Sequence, residues 1–321
     1  MGGKGLTDIP GVRVGHSTDL ARMTGCTVVL FDHGATGGID VCGQATSTRQ
    51  VDSLFPTHLG AEIHAIHLTG GSAFGLDSAA GVMAYLEERD VGMPVPFGRV
   101  PTVPTAAIFD LSIGDHRARP DAAMARAACE AASEGPVAEG SVGAGTGATV
   151  GKLYGIDRAM KGGLGTASRV YPDGLAVAAL AVVNAFGDVV DPATSAVVAG
   201  ARVPGKDRDL ARAGRVLADR GYAPGPAFGN TVLVVVGTSA RLTKVDACRL
   251  AHMAQAGVSR SVNPSLSIFD GDVVFAFGAG THDCDLPSLA ASAADLVATA
   301  IVRAVRTTDG HGHLPAWKDL R

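Results

Sequence analysis

A threonine that follows an asparagine, in "FGNTVLVVVG" (228–237), stands at the head of a run of aliphatic residues. A Thr hydroxyl is a weak nucleophile until a base takes its proton. The most economical base is the amine of the same residue, once that residue begins a chain. An α-amine has a reference pKa of about 8, near enough to neutrality to accept a proton, whereas a lysine amine first needs a large shift. Severing the peptide bond before Thr231 would create nucleophile and base together. The chemistry asks for a small hydroxyl residue at the start of a rigid strand, preceded by a turn that can be strained. "PGPAFGN" (224–230) followed by "TVLVVV" supplies that order. Alone, the arrangement is commonplace, and its plain reading is a turn leading into a strand.

Other chemistry-bearing stretches are weaker. In "GGSAFGLDSAAG" (70–81) the second residue after Ser72 is Phe74, so the Gly-x-Ser-x-Gly elbow of serine hydrolases is missed and a tight strand-to-helix turn is expected. "GAGTGATVGKL" (143–153) lacks the glycine a phosphate loop needs at Thr146 and the Ser or Thr it needs at Leu153. It can be forced into a dinucleotide pattern through Gly143, Gly145 and Ala148, but "EGPVAEGS" before it makes a poor strand. His64 and His67, three apart on an expected strand, point to opposite faces and suit structural roles better than joint metal ligation. His311 and His313 lie in a Gly-rich turn, and "HDCD" (282–285) has no partner cluster at a zinc-like spacing. No metal or organic cofactor is expected.

The elements that must position Thr231 are legible as apolar runs. Strands are predicted at 26–31, 63–68, 175–187, 231–237 and 272–278, several apolar on both faces and so covered on both sides. Helices are predicted at 74–90 and 119–134, over 207–221 with a stop at Gly221, from an N-cap at Thr243 to a stop at Gly257, and at 286–306. The last carries small residues that would let it lie close to a sheet. Strands and helices are mixed throughout with no repeat or low-complexity linker, which predicts one α/β domain over 1–321.

Composition narrows the function classes. A net charge of -4 over 321 residues, with no basic cluster, predicts neither a nucleic-acid nor a membrane partner. Cys26, Cys42, Cys129, Cys248 and Cys284 are odd in number and scattered, as free thiols in a reducing compartment would be. With no apolar leader at the start of the sequence, a cytoplasmic protein is expected.

Five segments in order, "LTGGSAFGLDSAAGVMAYLEE", "VGAGTGATVGKL", "ALAVVNAFGDV", "GNTVLVVVGTSARLTK" and "FDGDVVFAFG", resemble the DmpA-type family of self-processing aminopeptidases and amidohydrolases. That family includes β-peptidyl aminopeptidases and the endo-type nylon-oligomer hydrolase, and the resemblance runs from "IPGVRVGH" to the last long helix. It implies a four-layer αββα sandwich, a homo-oligomer with a tetramer in keeping with the family, and a small peptide or amide substrate. It also implies a cut between Asn230 and Thr231, giving an α chain, 1–230, and a β chain, 231–321, with Thr231 as nucleophile. Asn184 matches the family's oxyanion-hole Asn, and Lys152 matches the Lys that approaches the nucleophile. Asp270 and Asp272 match an acidic pair that orients the amine and the Lys. Read plainly, these four would be a turn residue, a surface Lys and an Asp-Gly turn.

The chain departs from the pattern at three places. A Tyr of several relatives corresponds to Phe109, a frequent His-Thr corresponds to Leu266-Ser267, and Thr231 is followed by Val232 rather than a second Thr. Since the aminopeptidase branch pairs Ser with Glu where Asp270 and Asp272 stand, the resemblance tilts toward an amide hydrolase. Two alternatives stay open: an acyltransferase of ornithine acetyltransferase type, and an uncut, non-catalytic relative.

Overall fold

The computed structural model describes residues 3–220 and 229–321, apart from the side chain of Arg220. The expected stop at Gly221 and most of the turn before Asn230 lie outside the described residues. Nine strands join in one sheet: β1 (Val12–Asp19), β2 (Thr24–Val41), β3 (Thr48–Arg49), β4 (Glu62–Thr69), β5 (Thr105–Ala107), β6 (Gly163–Val170), β7 (Ala176–Asn184), β8 (Thr231–Ala240) and β9 (Val273–His282). Their order is β6-β7-β8-β9-β2-β4-β5-β3, with β1 on β2. Neighbours are antiparallel except β8 with β9 and β4 with β5. The helices are α1 (Ala79–Glu87), α2 (Ala122–Glu130), α3 (Ala213–Arg220), α4 (Lys244–Ser261) and α5 (Leu286–Arg306).

Alternation along the strands divides the interior into three cores, which makes four layers. One face of β7, β8 and β9, through Val183, Val234 and Val274, packs on Leu250 and Val258 of α4 and Val297 and Ile301 of α5. The other face, through Leu180, Leu233 and Phe275, meets Val29 and Phe31 of β2 and Ile66 and Leu68 of β4. The rings of Phe31 and Phe277 meet edge-on across that space with centroids 4.7 Å apart. On the far side, Val28, Leu30 and Ala65 pack on Val82 and Leu86 of α1 and Ala125 and Ala128 of α2. The expected αββα sandwich is the architecture observed. The continuity of β2 is what hydrogen-bonds its two sheet layers together: Thr24–Phe31 pairs with β1, and Thr36–Val41 pairs with β9.

Several sequence expectations need correction. The strand expected at 26–31 runs on to Val41, and its glycines allow close packing there: a Cβ on Gly38 would lie 2.3 Å from the α4 backbone at Ala247. The segment 74–90 is a 3-10 turn, Ser72–Ser78, followed by α1. The segment 207–221 turns helical only at Ala213. Thr243 caps α4 as expected, its hydroxyl accepting Asp246 N–H, but the helix passes Gly257 and ends at Ser261. Gly257 is there for α5: a Cβ would sit 2.4 Å from the Ala294 carbonyl oxygen. α5 is long and apolar enough to cross a membrane, yet most of it is buried against β6, β7 and α4.

α5 touches the sheet backbone through Gly165, where a Cβ would lie 2.2 Å from Ala300 O. Valine is otherwise favoured in strands, so Gly165→Val tests the contact. The variant is expected to lose about 1–3 kcal/mol of unfolding free energy, the usual cost of overpacking. The readout is a lower urea midpoint at unchanged slope, and a midpoint equal to the parent's would mean that α5 can shift outward freely.

Candidate active site

Strand register brings two of the singled-out residues together. β7 and β8 are antiparallel with Asn184 opposite Thr231, so both side chains leave the same face of the sheet at one end of the strand pair. Thr231 is 4% exposed and Asn184 is fully buried. Thr231 Oγ1 donates to the carbonyl oxygen of Asn230, the residue before it, at 2.5 Å. That same oxygen accepts Gly271 N–H at 2.8 Å, through a parallel bridge that extends the β8–β9 ladder to Asn230 and Asp270.

The Asn184 amide is held at both ends. Its Oδ1 accepts Thr149 N–H at 3.0 Å, Thr149 Oγ1–H at 3.2 Å and Lys152 Nζ–H at 3.0 Å. Three donors on that atom fix the amide's orientation. Its Nδ2 donates to the carbonyls of Gly229, at 3.0 Å, and Phe109, at 3.1 Å. Lys152 Nζ also donates to Asn184 O at 3.0 Å and more loosely to Gly229 O at 3.4 Å. Burial lowers the Lys152 pKa to about 7; Asp270 opposes the shift and Lys161 adds to it.

The acidic pair is buried as well. Asp270 Oδ2 accepts Ser267 Oγ–H at 2.6 Å and Ser267 N–H at 3.0 Å, while Oδ1 accepts Phe186 N–H at 3.2 Å. Asp272 Oδ1 accepts Val232 N–H at 2.6 Å, one residue past Thr231. Burial, with Asp270 close by, pushes the Asp272 carboxyl up to about 7. Neither carboxylate hydrogen-bonds Lys152 in the described structure. The influence of Asp270 on that lysine is electrostatic; the hydrogen bonds of the two acids go to Ser267 and Phe186 from Asp270 and to Val232 from Asp272.

Several participants went unread in the sequence. Lys161 is wholly buried, its Nζ donating to Thr146 O and Ala148 O at 2.8 Å each, and burial lowers its pKa to about 7 against the pull of Asp110. Those carbonyls lie in the segment that leads directly into Thr149. Asp110 accepts Gly71 N–H and Thr24 Oγ1–H, both at 2.7 Å, anchoring the turn that follows β4. A lone Lys in "AMKGG" gives no spacing to read. Gly271 did leave a signal, a glycine beside a strand pattern, which points to close backbone approach: a Cβ there would be 2.5 Å from Ala45 O and 3.0 Å from Thr231 Oγ1.

The remaining motifs lie elsewhere. His67 Nε2 is 2.7 Å from Ser78 Oγ and His64 Nδ1 accepts Thr102 N–H, so the two serve different neighbours. In the Gly-rich stretch the amides of Gly143 and Ala144 donate to Thr18 and Thr27 hydroxyls, which leaves them unavailable to a phosphate. Asp285 caps α5 and Asp283 pairs with Arg241. Phe109 packs its ring against Gly229, which has φ +85°. Leu266 also has positive φ, +55°, and with Ile268 reaches the surface.

Comparison with known proteins bears on the family and the fold. The profile of peptidase family S58 matches residues 4–312. An uncharacterized aminopeptidase of Mycobacterium leprae is 36% identical over 97% of this chain and 92% of its own. The 6-aminohexanoate-oligomer endohydrolase of Paenarthrobacter ureafaciens is 32% identical over 88% of this chain and 76% of its own. Among solved structures, an L-aminopeptidase D-Ala-esterase/amidase from Ochrobactrum anthropi, described as a variant of the Ntn hydrolase fold, superposes with a TM-score of 0.74. It covers 100% of this chain and 93% of that one at 20% identity, a likeness of fold. On the family match and the relatives' identity across nearly the whole chain, the protein belongs to peptidase family S58 and is a hydrolase acting on amide bonds.

Proposed function

We propose that the protein is a self-processing N-terminal-threonine hydrolase of small amide or peptide substrates, working through an acyl-enzyme on Thr231. One observation carries the reading: the Thr231 hydroxyl is held 2.5 Å from the carbonyl oxygen of the peptide bond it would have to break. In the first act Oγ attacks the Asn230 carbonyl carbon, the acyl group moves from nitrogen to oxygen, and water hydrolyses the ester. The amide nitrogen of Thr231 cannot serve as base at this stage. Asp272, bonded to the next peptide N–H and half-ionised near neutrality, is the group suited to take the hydroxyl proton.

In the second act the freed amine of Thr231 activates the same hydroxyl against a substrate amide. The side chain of Asn184 with a backbone N–H stabilises the oxyanion, and water releases the acyl group. Lys152 beside the site favours the neutral form of the amine and steadies the developing alkoxide. The named activities of the relatives, aminopeptidase and 6-aminohexanoate-oligomer endohydrolase, bracket the substrate class. The Asp270–Asp272 pair tilts the choice toward a linear amide.

Intact mass spectrometry of fresh and aged protein is expected to yield two fragments that meet at 230/231. Thr231→Ala should stay whole and lose amide hydrolysis by a factor on the order of 10³ or more. Splitting of that variant at the same junction would sink the proposal. The Asp272 carboxyl, raised to about 7, is a base only when ionised. The self-cleavage rate should therefore fall about tenfold for each pH unit below 7 and level off above it. A rate indifferent to pH between about 6 and 8, the window in which a group of pKa about 7 titrates, would remove Asp272 from the role.

A further inference from the structure

The carbonyl that would be attacked has a donor of its own, and it is not Asn184. Asn230 O accepts Gly271 N–H at 2.8 Å, while Asn184 Nδ2 is spent on the carbonyls one residue upstream, at Gly229, and across the cleft, at Phe109. The three donors on Oδ1 prevent the amide from flipping to another partner. Lys152 leans on the same Gly229 oxygen. So long as the chain is unbroken, the Gly229 carbonyl covers the side-chain donors that a substrate would use.

We propose that self-cleavage and substrate hydrolysis use different oxyanion donors: the peptide N–H of Gly271 serves the first, and the Asn184 amide becomes available for the second only when the Gly229 carbonyl withdraws. The inference rests on the self-processing reading above. In the step concerned, a bond forms between Thr231 Oγ and the Asn230 carbonyl carbon, and the carbonyl π pair moves onto oxygen opposite Gly271 N–H. The hydroxyl proton passes to Asp272 and on to the Thr231 nitrogen as the C–N bond breaks, leaving an ester and a free amine. Water then splits the ester into the Asn230 carboxylate and the Thr231 hydroxyl.

A ladder N–H suits this task because the sheet already aims it and nothing reorganises as charge develops. It requires glycine, since a side chain at 271 would collide with the Ala45 carbonyl and crowd Thr231 Oγ1. The arrangement also gives the enzyme an order of events, in which the hydrolytic donor set opens only after the break.

The test follows chain splitting by intact mass, and hydrolysis of alanine p-nitroanilide, in the parent, Asn184→Ala and Gly271→Pro, with thermal melts as a check on folding. Asn184→Ala is expected to split at a rate within about threefold of the parent while its hydrolysis falls about 10²–10³-fold. Gly271→Pro, which lacks the N–H, should stay whole. A folded Asn184→Ala that remains unbroken, or a Gly271→Pro that splits at the parent's rate, overturns the inference. If Gly271→Pro does not fold, Gly271→Ala stands in: displacement of its N–H should slow splitting at least about tenfold, and a parental rate overturns the inference equally. A parent that never splits overturns instead the self-processing reading beneath it, so the two failures are told apart.

Discussion

One carbonyl oxygen, that of Asn230, takes a hydroxyl from its own neighbour in the chain and an N–H from a parallel strand, and much of the molecule serves to keep that junction still. Thr231 begins a ten-residue strand buried along its whole length and paired on both edges. A group at the end of such a strand has little freedom to drift, because displacing it would disturb two hydrogen-bond ladders and two cores at once. The hydroxyl and the carbonyl are adjacent in sequence and held in contact, the geometry that the proposed self-cleavage needs.

Electrostatics around the junction follow from the same burial. Lys152 and Asp272 are driven toward their neutral forms from opposite sides, both to about 7, chiefly by loss of water. Each can give or take a proton near neutrality with little penalty. Lys161 and Asp110 sit behind them, the lysine gripping the segment that leads to Thr149 and the aspartate, next to Phe109 in the chain, anchoring the turn that follows β4. The segments that present Thr149 and Phe109 to Asn184 are therefore backed by a buried lysine and a buried aspartate.

The sequence disclosed the strands that carry the site because their apolar runs are unbroken, and α5 matched its predicted bounds because cap and periodicity agreed. Glycine misled at Gly257, which read as a helix stop, where in fact the α4 and α5 backbones approach too closely there for a side chain. β1 and β6 were not read at all, since "VRVGHSTD" and "GLGTASRV" mix polar and small residues. In the site itself, side chains could be matched to a family motif, whereas backbone groups leave no letter of their own. Gly271 N–H and the carbonyls of Phe109 and Gly229 emerged only with the register.

Strand order carries a further meaning for the two pieces that a break before Thr231 would produce. β8 and β9, from the later piece, lie side by side between β7 and β2, which belong to the earlier one. α4 and α5 close over that same seam. A nick there would open no sheet edge and unseat no layer, so the halves would remain interleaved and come apart only by unfolding. Covalent continuity and structural continuity are separable in this molecule, and the bond proposed for cleavage is one whose loss would leave the strand order intact.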